Sequence, residues 1–364
     1  MIIRDIEEWL PAKEKPLLIA GPCSVESEEQ VLSTASALAK NQQISALRGG
    51  VWKPRTKPGS FEGIGQPALA WLKKAGQQNN LPVITEVATA KHVEQALKAD
   101  IDMLWIGART TVNPFYVQEI ADALQGVDIP VFVKNPIHPE LKLWLGALER
   151  FQKAGLNKLA AIHRGFYAYQ SQPFRNDPKW EIFFELRRLA PEIKVICDPS
   201  HIAGKRELIA EVCQSALDLG MDGFMIESHV NPDKALSDAE QQLRPDDLAK
   251  IYTGLERREE AIHDKRFIGQ LERLRSEIDT VDEDLLKLLK KRIDLANSIG
   301  PVKYDHQVTI FQMKRWFKVL ENRKSFGQNL QLDENLVHEV FQLLHKYSID
   351  EQIKSHKISS KPKS

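Results

Sequence analysis

Between positions 48 and 63 the chain reads RGGVWKPRTKPGSFEG, which places Arg48, Lys53, Arg55 and Lys57 within ten residues and no acid among them. Glycines and prolines around these cations keep the stretch out of helix and strand, so it reads as a shaped loop. Guanidinium forks and ammonium groups fixed on such a loop suit the oxygens of phosphate and carboxylate. A solvated basic surface loop has the same composition. What else reaches the same place decides between the two.

Other groups able to do chemistry follow short apolar runs. Gly21-Pro22-Cys23 follows the run at 17–20, Arg48 follows 44–47, and Glu86 lies in the end of 82–87. Arg109 comes after 103–106, Lys134-Asn135 after 130–133, and His163-Arg164 after 159–162. Asp198-Pro199-Ser200-His201 ends the run at 194–197, and Glu227-Ser228-His229 ends that at 223–226. Gathered on one rim, Arg48, Lys53, Arg109, Lys134 and Arg164 would repel one another unless a multiply charged anion sat between them. Cys23, His201 and Glu227, with Asp238 in the loop that follows, add a thiol, an imidazole and two carboxylates. That donor set suits a first-row divalent cation better than Ca2+ or Mg2+. A lone cysteine at a strand end is also a common packing residue.

The elements that must position these groups follow from the alternation. Amphipathic segments at 28–40, 67–78, 114–124, 140–154 and 205–219 separate the apolar runs, and Ser27 with Gln30 forms a capping-box pattern at the first. Strands alternating with helices in this way predict a (β/α)8 TIM barrel over 1–253, with an open doubly wound sheet as the alternative. In a barrel the strand ends converge on the C-terminal face, where such enzymes keep their active sites.

Composition narrows the field. At 364 residues the chain exceeds one ordinary domain, and 50 Lys plus Arg balance 50 Asp plus Glu. That balance argues against nucleic-acid or membrane-surface partners. The cysteines, Cys23, Cys197 and Cys213, are too few and scattered for a disulfide framework. MIIRDIEEWL lacks the apolar core of a signal peptide, and no apolar run reaches membrane length. A reduced, cytoplasmic, soluble protein is expected.

A charged linker is expected at 254–266, followed by an all-helical domain at 267–355 and a short basic tail at 356–364. Leu271, Leu274, Ile278, Val281, Leu285 and Leu288 alternate in steps of three and four, which is the seam of a long helix. Arg292 interrupts that seam before Leu295 and Ile299. Its charge is costly there unless an anion meets it or the side chain snorkels out. Pro301 falls where the helix should continue and is expected to kink or break it. Amphipathic segments at 310–323 and 334–355 complete the domain.

The motifs GPCS, RGGVWKPRT, IGART, FVKNP, HRGF, DPSH, IESH and ALSDAEQQL, in this order between 17 and 251, resemble the type Iβ branch of the 3-deoxy-D-arabino-heptulosonate 7-phosphate (DAHP) synthase family. The resemblance implies condensation of phosphoenolpyruvate with erythrose 4-phosphate, the first committed step of aromatic (shikimate-pathway) biosynthesis. It assigns Cys23, His201, Glu227 and Asp238 to a divalent metal ion, Mn2+ first, with Co2+, Fe2+ or Zn2+ as alternatives. It places Arg109 and Arg164 on the phosphate of phosphoenolpyruvate, and Arg48, Lys53 and Lys134 around its carboxylate. Arg55 and Thr56 would hold the sugar phosphate, and Lys53 would also handle a proton. The related 3-deoxy-D-manno-octulosonate 8-phosphate synthases use the same barrel, but KPRT favours the four-carbon aldose.

The stretch 271–352 resembles the helical chorismate mutase family, with Arg275, Arg292, Lys303, Arg315, Ser348 and Gln352 at its active-site spacings. The resemblance implies rearrangement of chorismate to prephenate. The arginines would bind the two carboxylates, with Ser348 in support. Lys303 and Gln352 would face the ether oxygen as charge grows on it. Arg275 would reach into a partner's site, implying a homodimer through this domain, or a higher oligomer. Gln312 and Trp316 stand where many members carry acids near the substrate hydroxyl; Gln312 can still hydrogen-bond it, Trp316 cannot replace a carboxylate. The domain is therefore expected to be a second catalyst, or a dimerising module through which prephenate or chorismate restrains the barrel.

Overall fold

The computed structural model describes residues 3–359, apart from 11, 13, 41–42, 54–58, 60, 170–172 and 259–264. Its eight strands are β1 (Leu17–Gly21), β2 (Ala46–Arg48), β3 (Val83–Val87), β4 (Met103–Ile106), β5 (Val131–Lys134), β6 (Leu159–His163), β7 (Lys194–Cys197) and β8 (Gly223–Glu227). Each pairs in parallel with the next, and β8 returns to β1 in a register running from Leu17↔Gly223 to Gly21↔Glu227. The sheet is a closed barrel, and the open-sheet alternative is excluded.

Both faces of the strands are buried, which is why they read as unbroken apolar runs. Side chains such as Ile19, Ile84, Met103, Phe132 and Met225 fill the barrel interior. A short helix, Ile6–Trp9, plugs its lower end, with Trp9 set edge-on to Phe132 at 5.5 Å. The outer face packs on the surrounding helices, for example through Trp144, whose Nε1 donates to the Val133 carbonyl at 3.0 Å. With the lower barrel filled by apolar groups, the charged side chains on the strands gather at the upper rim, apart from Lys194, which opens β7 and pairs with Asp222. Gly21 is left-handed at φ +153°, and a Cβ there would run into the Arg48 backbone. The first two strand ends can approach this closely only because position 21 is glycine.

Contacts divide the chain into two units, Met1–Arg258 and Glu259–Ser364. The second has three helices, Lys265–Asp305, Met313–Asn329 and Glu334–Ser359. The long helix runs through Pro301 without the expected break. Proline there removes one helical hydrogen bond. Tertiary packing offsets that loss, because the adjacent Gly300 lies directly against the last helix: a Cβ would stand 2.9 Å from the Gln352 carbonyl and collide with the Ser355 hydroxyl. Gly300→Ala would favour an isolated helix by ~1 kcal/mol. Here it is expected to destabilise the helical unit by about 1–3 kcal/mol, by forcing two helices apart. A circular-dichroism melt of the full chain checks this; an unchanged or raised helical transition would contradict it.

Among the described residues of the helical unit the seam of the long helix is uncovered. Leu274, Ile278, Val281, Leu285 and Leu288 are 43–65% exposed. Among the described residues no helix is long and apolar enough to cross a membrane.

Candidate active sites

The ends of β1 and β8 and the loop after β8 bring Cys23, Glu227 and Asp238 together, with one donor atom of each within 4.8 Å of the others. His201 adjoins them, its Nε2 3.9 Å from Glu227 Oε1, but it lies outside that tight group. Its Nδ1 faces Asp198 Oδ2 at 2.8 Å, the carboxylate backing that orients a ligating imidazole. Burial lowers the proton affinity of His201 against the pull of Asp198, which favours the neutral ring a metal needs. Burial, with Glu227 beside it, pushes the Cys23 thiol up to about 12. The protonated thiol donates to Asp238 Oδ2 at 3.3 Å. A divalent cation would displace that proton, since a coordinating thiol is deprotonated. The donor set fits such a cation.

Parts of the site that sequence reasoning missed hold these groups in place. Gln241 Nε2 donates to Glu227 Oε2 at 2.7 Å, and Gln242 Oε1 accepts from the Cys23 backbone at 2.9 Å. Arg175 donates to Asp238 Oδ1 at 3.3 Å and to Gln241 Oε1 at 2.7 Å. The two glutamines lie inside the quoted ALSDAEQQL motif, which was the available signal; Arg175 gave none. A cavity of about 590 Å³ opens beside Asp238, with Arg175 and Lys205 in its wall.

Four of the five rim cations are buried: Arg48 (1% exposed), Lys134 (4%), Lys53 (9%) and Arg164 (9%). Charged residues are almost never this deep without partners. Arg48 donates to Glu227 Oε1 at 3.2 Å, while its Nε and Nη1 have no partner. Its guanidinium lies 4.8 Å over the Trp105 ring, whose Nε1 is fixed by Glu86 at 3.1 Å. Lys134 donates to Asp198 Oδ2 at 2.7 Å, and Lys53 Nζ to the Cys23 carbonyl at 2.8 Å. Among the described residues the Arg164 side chain has only amide and carbonyl acceptors, Asn176 Oδ1 at 3.0 Å and the Gly165 carbonyl at 3.4 Å. Burial lowers its proton affinity to about 10. Arg109 is exposed at the mouth. The loop beyond β2 is pinned where described: Lys53 N donates to the Glu62 carbonyl at 2.8 Å, and Trp52 stacks on His92 at 4.0 Å. Arg55 and Thr56 lie outside the described residues.

In the helical unit a cavity of about 390 Å³ gathers Arg292, Lys303, Gln312, Arg315, Ser348 and Gln352. Its wall contains no carboxylate. Arg292 Nη1 donates to Ser348 Oγ at 2.5 Å and to the Leu344 carbonyl at 2.9 Å. Burial, then the charge of Arg323, lowers its proton affinity. Lys303 Nζ donates to the Ile310 carbonyl at 2.5 Å. Arg275 stands apart from this cavity, exposed and paired with Glu272 at 2.7 Å. Sequence reasoning missed His345, which lines the same cavity and stacks on Trp316 at 3.9 Å.

Comparison with known proteins agrees with this division. Residues 7–264 match the DAHP synthetase I family, and residues 274–353 match chorismate mutase type II. A phospho-2-dehydro-3-deoxyheptonate aldolase of Thermotoga maritima is 30% identical over 62% of the chain and 64% of its own length. The chain thus spans a little under two thirds of that relative. A 2-dehydro-3-deoxyphosphooctonate aldolase of Desulfotalea psychrophila is 27% identical over 66% of the chain and 88% of its own. The crystal structure of a Thermotoga maritima DAHP synthase superposes with a TM-score of 0.58 at 28% identity, covering 65% of this chain and 67% of that one.

Proposed function

Since the chain belongs to the DAHP synthetase I family and carries a chorismate mutase type II domain, we propose that it condenses phosphoenolpyruvate with erythrose 4-phosphate, and separately rearranges chorismate to prephenate. The observation that carries the first activity is the convergence of four buried cations beside the Cys23–Glu227–Asp238 donor set. Such a concentration of buried positive charge calls for a multiply charged anion. Phosphoenolpyruvate, with a phosphate and a carboxylate, fits that demand.

Arg164 and Arg109 take the phosphate, and Arg48, Lys53 and Lys134 surround the carboxylate. Arg55 and Thr56 are assigned to the sugar on the family resemblance alone. Held in this way, C3 of phosphoenolpyruvate forms a bond to the aldehyde carbon, whose oxygen takes a proton. Water adds at C2, and phosphate leaves. Lys53, hydrogen-bonded at the Cys23 carbonyl between the rim and the donor set, is placed to move a proton at the aldehyde oxygen. Cys23, His201, Glu227 and Asp238 would hold the divalent metal, Mn2+ first, which supplies Lewis-acid polarisation of the aldehyde when bound.

Cys23→Ala is expected to lose metal and DAHP formation together while the barrel stays folded, because the core does not depend on that side chain. Metal content by elemental analysis, activity with added Mn2+ and a thermal melt check it. Full activity without added metal would make Cys23 a packing residue.

For the mutase activity the carrying observation is a cavity with three cations and no acid in its wall. A dicarboxylate supplies the missing charge. The exposed apolar seam between Leu274 and Leu288 supports a homodimer in which a second copy covers it, and Arg275, next to Leu274, is assigned to the partner's cavity on the family resemblance alone. Binding of prephenate or chorismate is proposed to restrain the barrel as feedback. The buried free thiols support a reducing, cytoplasmic setting.

A further inference from the structure

The cations of the helical cavity leave one part of a hydroxylated ring dicarboxylate without a partner. Arg292, Lys303 and Arg315 can only donate, so they serve the carboxylates and the ether oxygen and cannot accept from a hydroxyl. The groups in the wall able to accept are Gln312, Ser348, Gln352 and His345. Ser348 is engaged with Arg292 and the Leu344 carbonyl, and Gln312, at the N-cap position of the middle helix, makes no capping bond and lies exposed to water. Two polar atoms remain buried and unpartnered, Gln352 Oε1 and His345 Nε2. A buried polar atom left unpaired costs about 1–3 kcal/mol, and a ligand that pairs it recovers that cost.

The ring of His345 is held in place for such a contact. It lies nearly parallel to the Trp316 indole, 3.9 Å away at 9°, and Phe311 closes on it at 5.9 Å. Burial, then the charges of Arg292 and Lys303, lowers its proton affinity, which favours the neutral ring. With its proton on Nδ1, a neutral imidazole accepts at Nε2.

We infer that His345 is a specificity-determining residue of this cavity, its Nε2 hydrogen-bonding the hydroxyl of the bound dianion while the arginines take the carboxylates. Trp316 acts as its positioning residue: the indole cannot replace an acid, but it fixes the imidazole that does the acid's work. The inference rests on the proposed reading of the helical unit as a chorismate and prephenate site.

The test is calorimetric titration of the full chain and its His345→Phe variant with prephenate, with a thermal melt of each. Phenylalanine keeps the stack on Trp316 and removes the nitrogen. Prephenate affinity is expected to fall roughly tenfold while Tm holds or rises, because an apolar ring of similar shape relieves an unpaired buried atom. His345→Gln, which returns an acceptor at similar reach, is expected to recover part of the affinity; it also serves if the phenylalanine variant misfolds. Wild-type affinity in the phenylalanine variant, or in its place no better binding by His345→Gln than by His345→Leu, would overturn the inference alone. A wild-type chain that binds neither prephenate nor chorismate would overturn the site reading and the inference with it.

Discussion

Arg164→Ala is expected to lower kcat/KM for phosphoenolpyruvate by about 10²–10³-fold without a matching loss of stability. Truncating a buried, charged hydrogen-bond donor that meets substrate costs about 3–4 kcal/mol, and each ~1.4 kcal/mol is tenfold. The same residue does little for the empty barrel. Its guanidinium is buried without a carboxylate in hydrogen-bond range, and burial already lowers its proton affinity. Removing such a charge relieves a desolvation cost that the nearby Asp198 and Asp238 offset only in part. Steady-state kinetics with varied phosphoenolpyruvate, together with a melt, separate the cases. Activity and Tm falling together would make Arg164 a structural residue.

Arg292→Ala is expected to cut chorismate turnover by about 10²–10³-fold, because it removes a preorganised donor from a cavity with no opposing acid. It is also expected to abolish inhibition of DAHP formation by prephenate while leaving the uninhibited rate largely intact. A ligand biases the barrel only if it binds the competent and restrained arrangements unequally. A coupling of ~1–3 kcal/mol changes apparent activity about 5- to 150-fold. Among the described residues Arg292 is bonded only to Ser348 and the Leu344 carbonyl, so its loss strands no charge partner there. Prephenate inhibition that persists in Arg292→Ala would place the regulatory site elsewhere. Its absence in the wild-type chain would reduce the fusion to two independent catalysts.

The barrel was legible because its signal is local. Each strand carries an apolar run, and the residue closing that run or following it faces the rim by topology alone, so Arg48, Lys134, Arg164 and Glu227 could be placed together before any coordinate. The bonds that tension the site were not legible. Arg175 meets Asp238 across 63 positions and Cys23 meets Gln242 across 219, and neither spacing has a periodicity that points to it. The Ile6–Trp9 plug escaped notice because a single turn has too few residues to show a pattern. Pro301 misled for the opposite reason: the local rule was sound, but contact of Gly300 with the last helix overrode it. The seam of the long helix was read correctly as apolar, and Leu274, Ile278, Val281, Leu285 and Leu288 lie exposed along it, which no spacing in the sequence announces. His345 became visible only when three helices folded around Trp316.

The most direct test of the central claim is the kcat/KM of the purified, Mn2+-loaded chain for phosphoenolpyruvate condensation with erythrose 4-phosphate, measured beside arabinose 5-phosphate. DAHP and phosphate are expected in equal amounts from the four-carbon sugar, with loss on chelation and far slower turnover of the five-carbon sugar. Comparable kcat/KM for the two sugars, or preference for arabinose 5-phosphate, would contradict it.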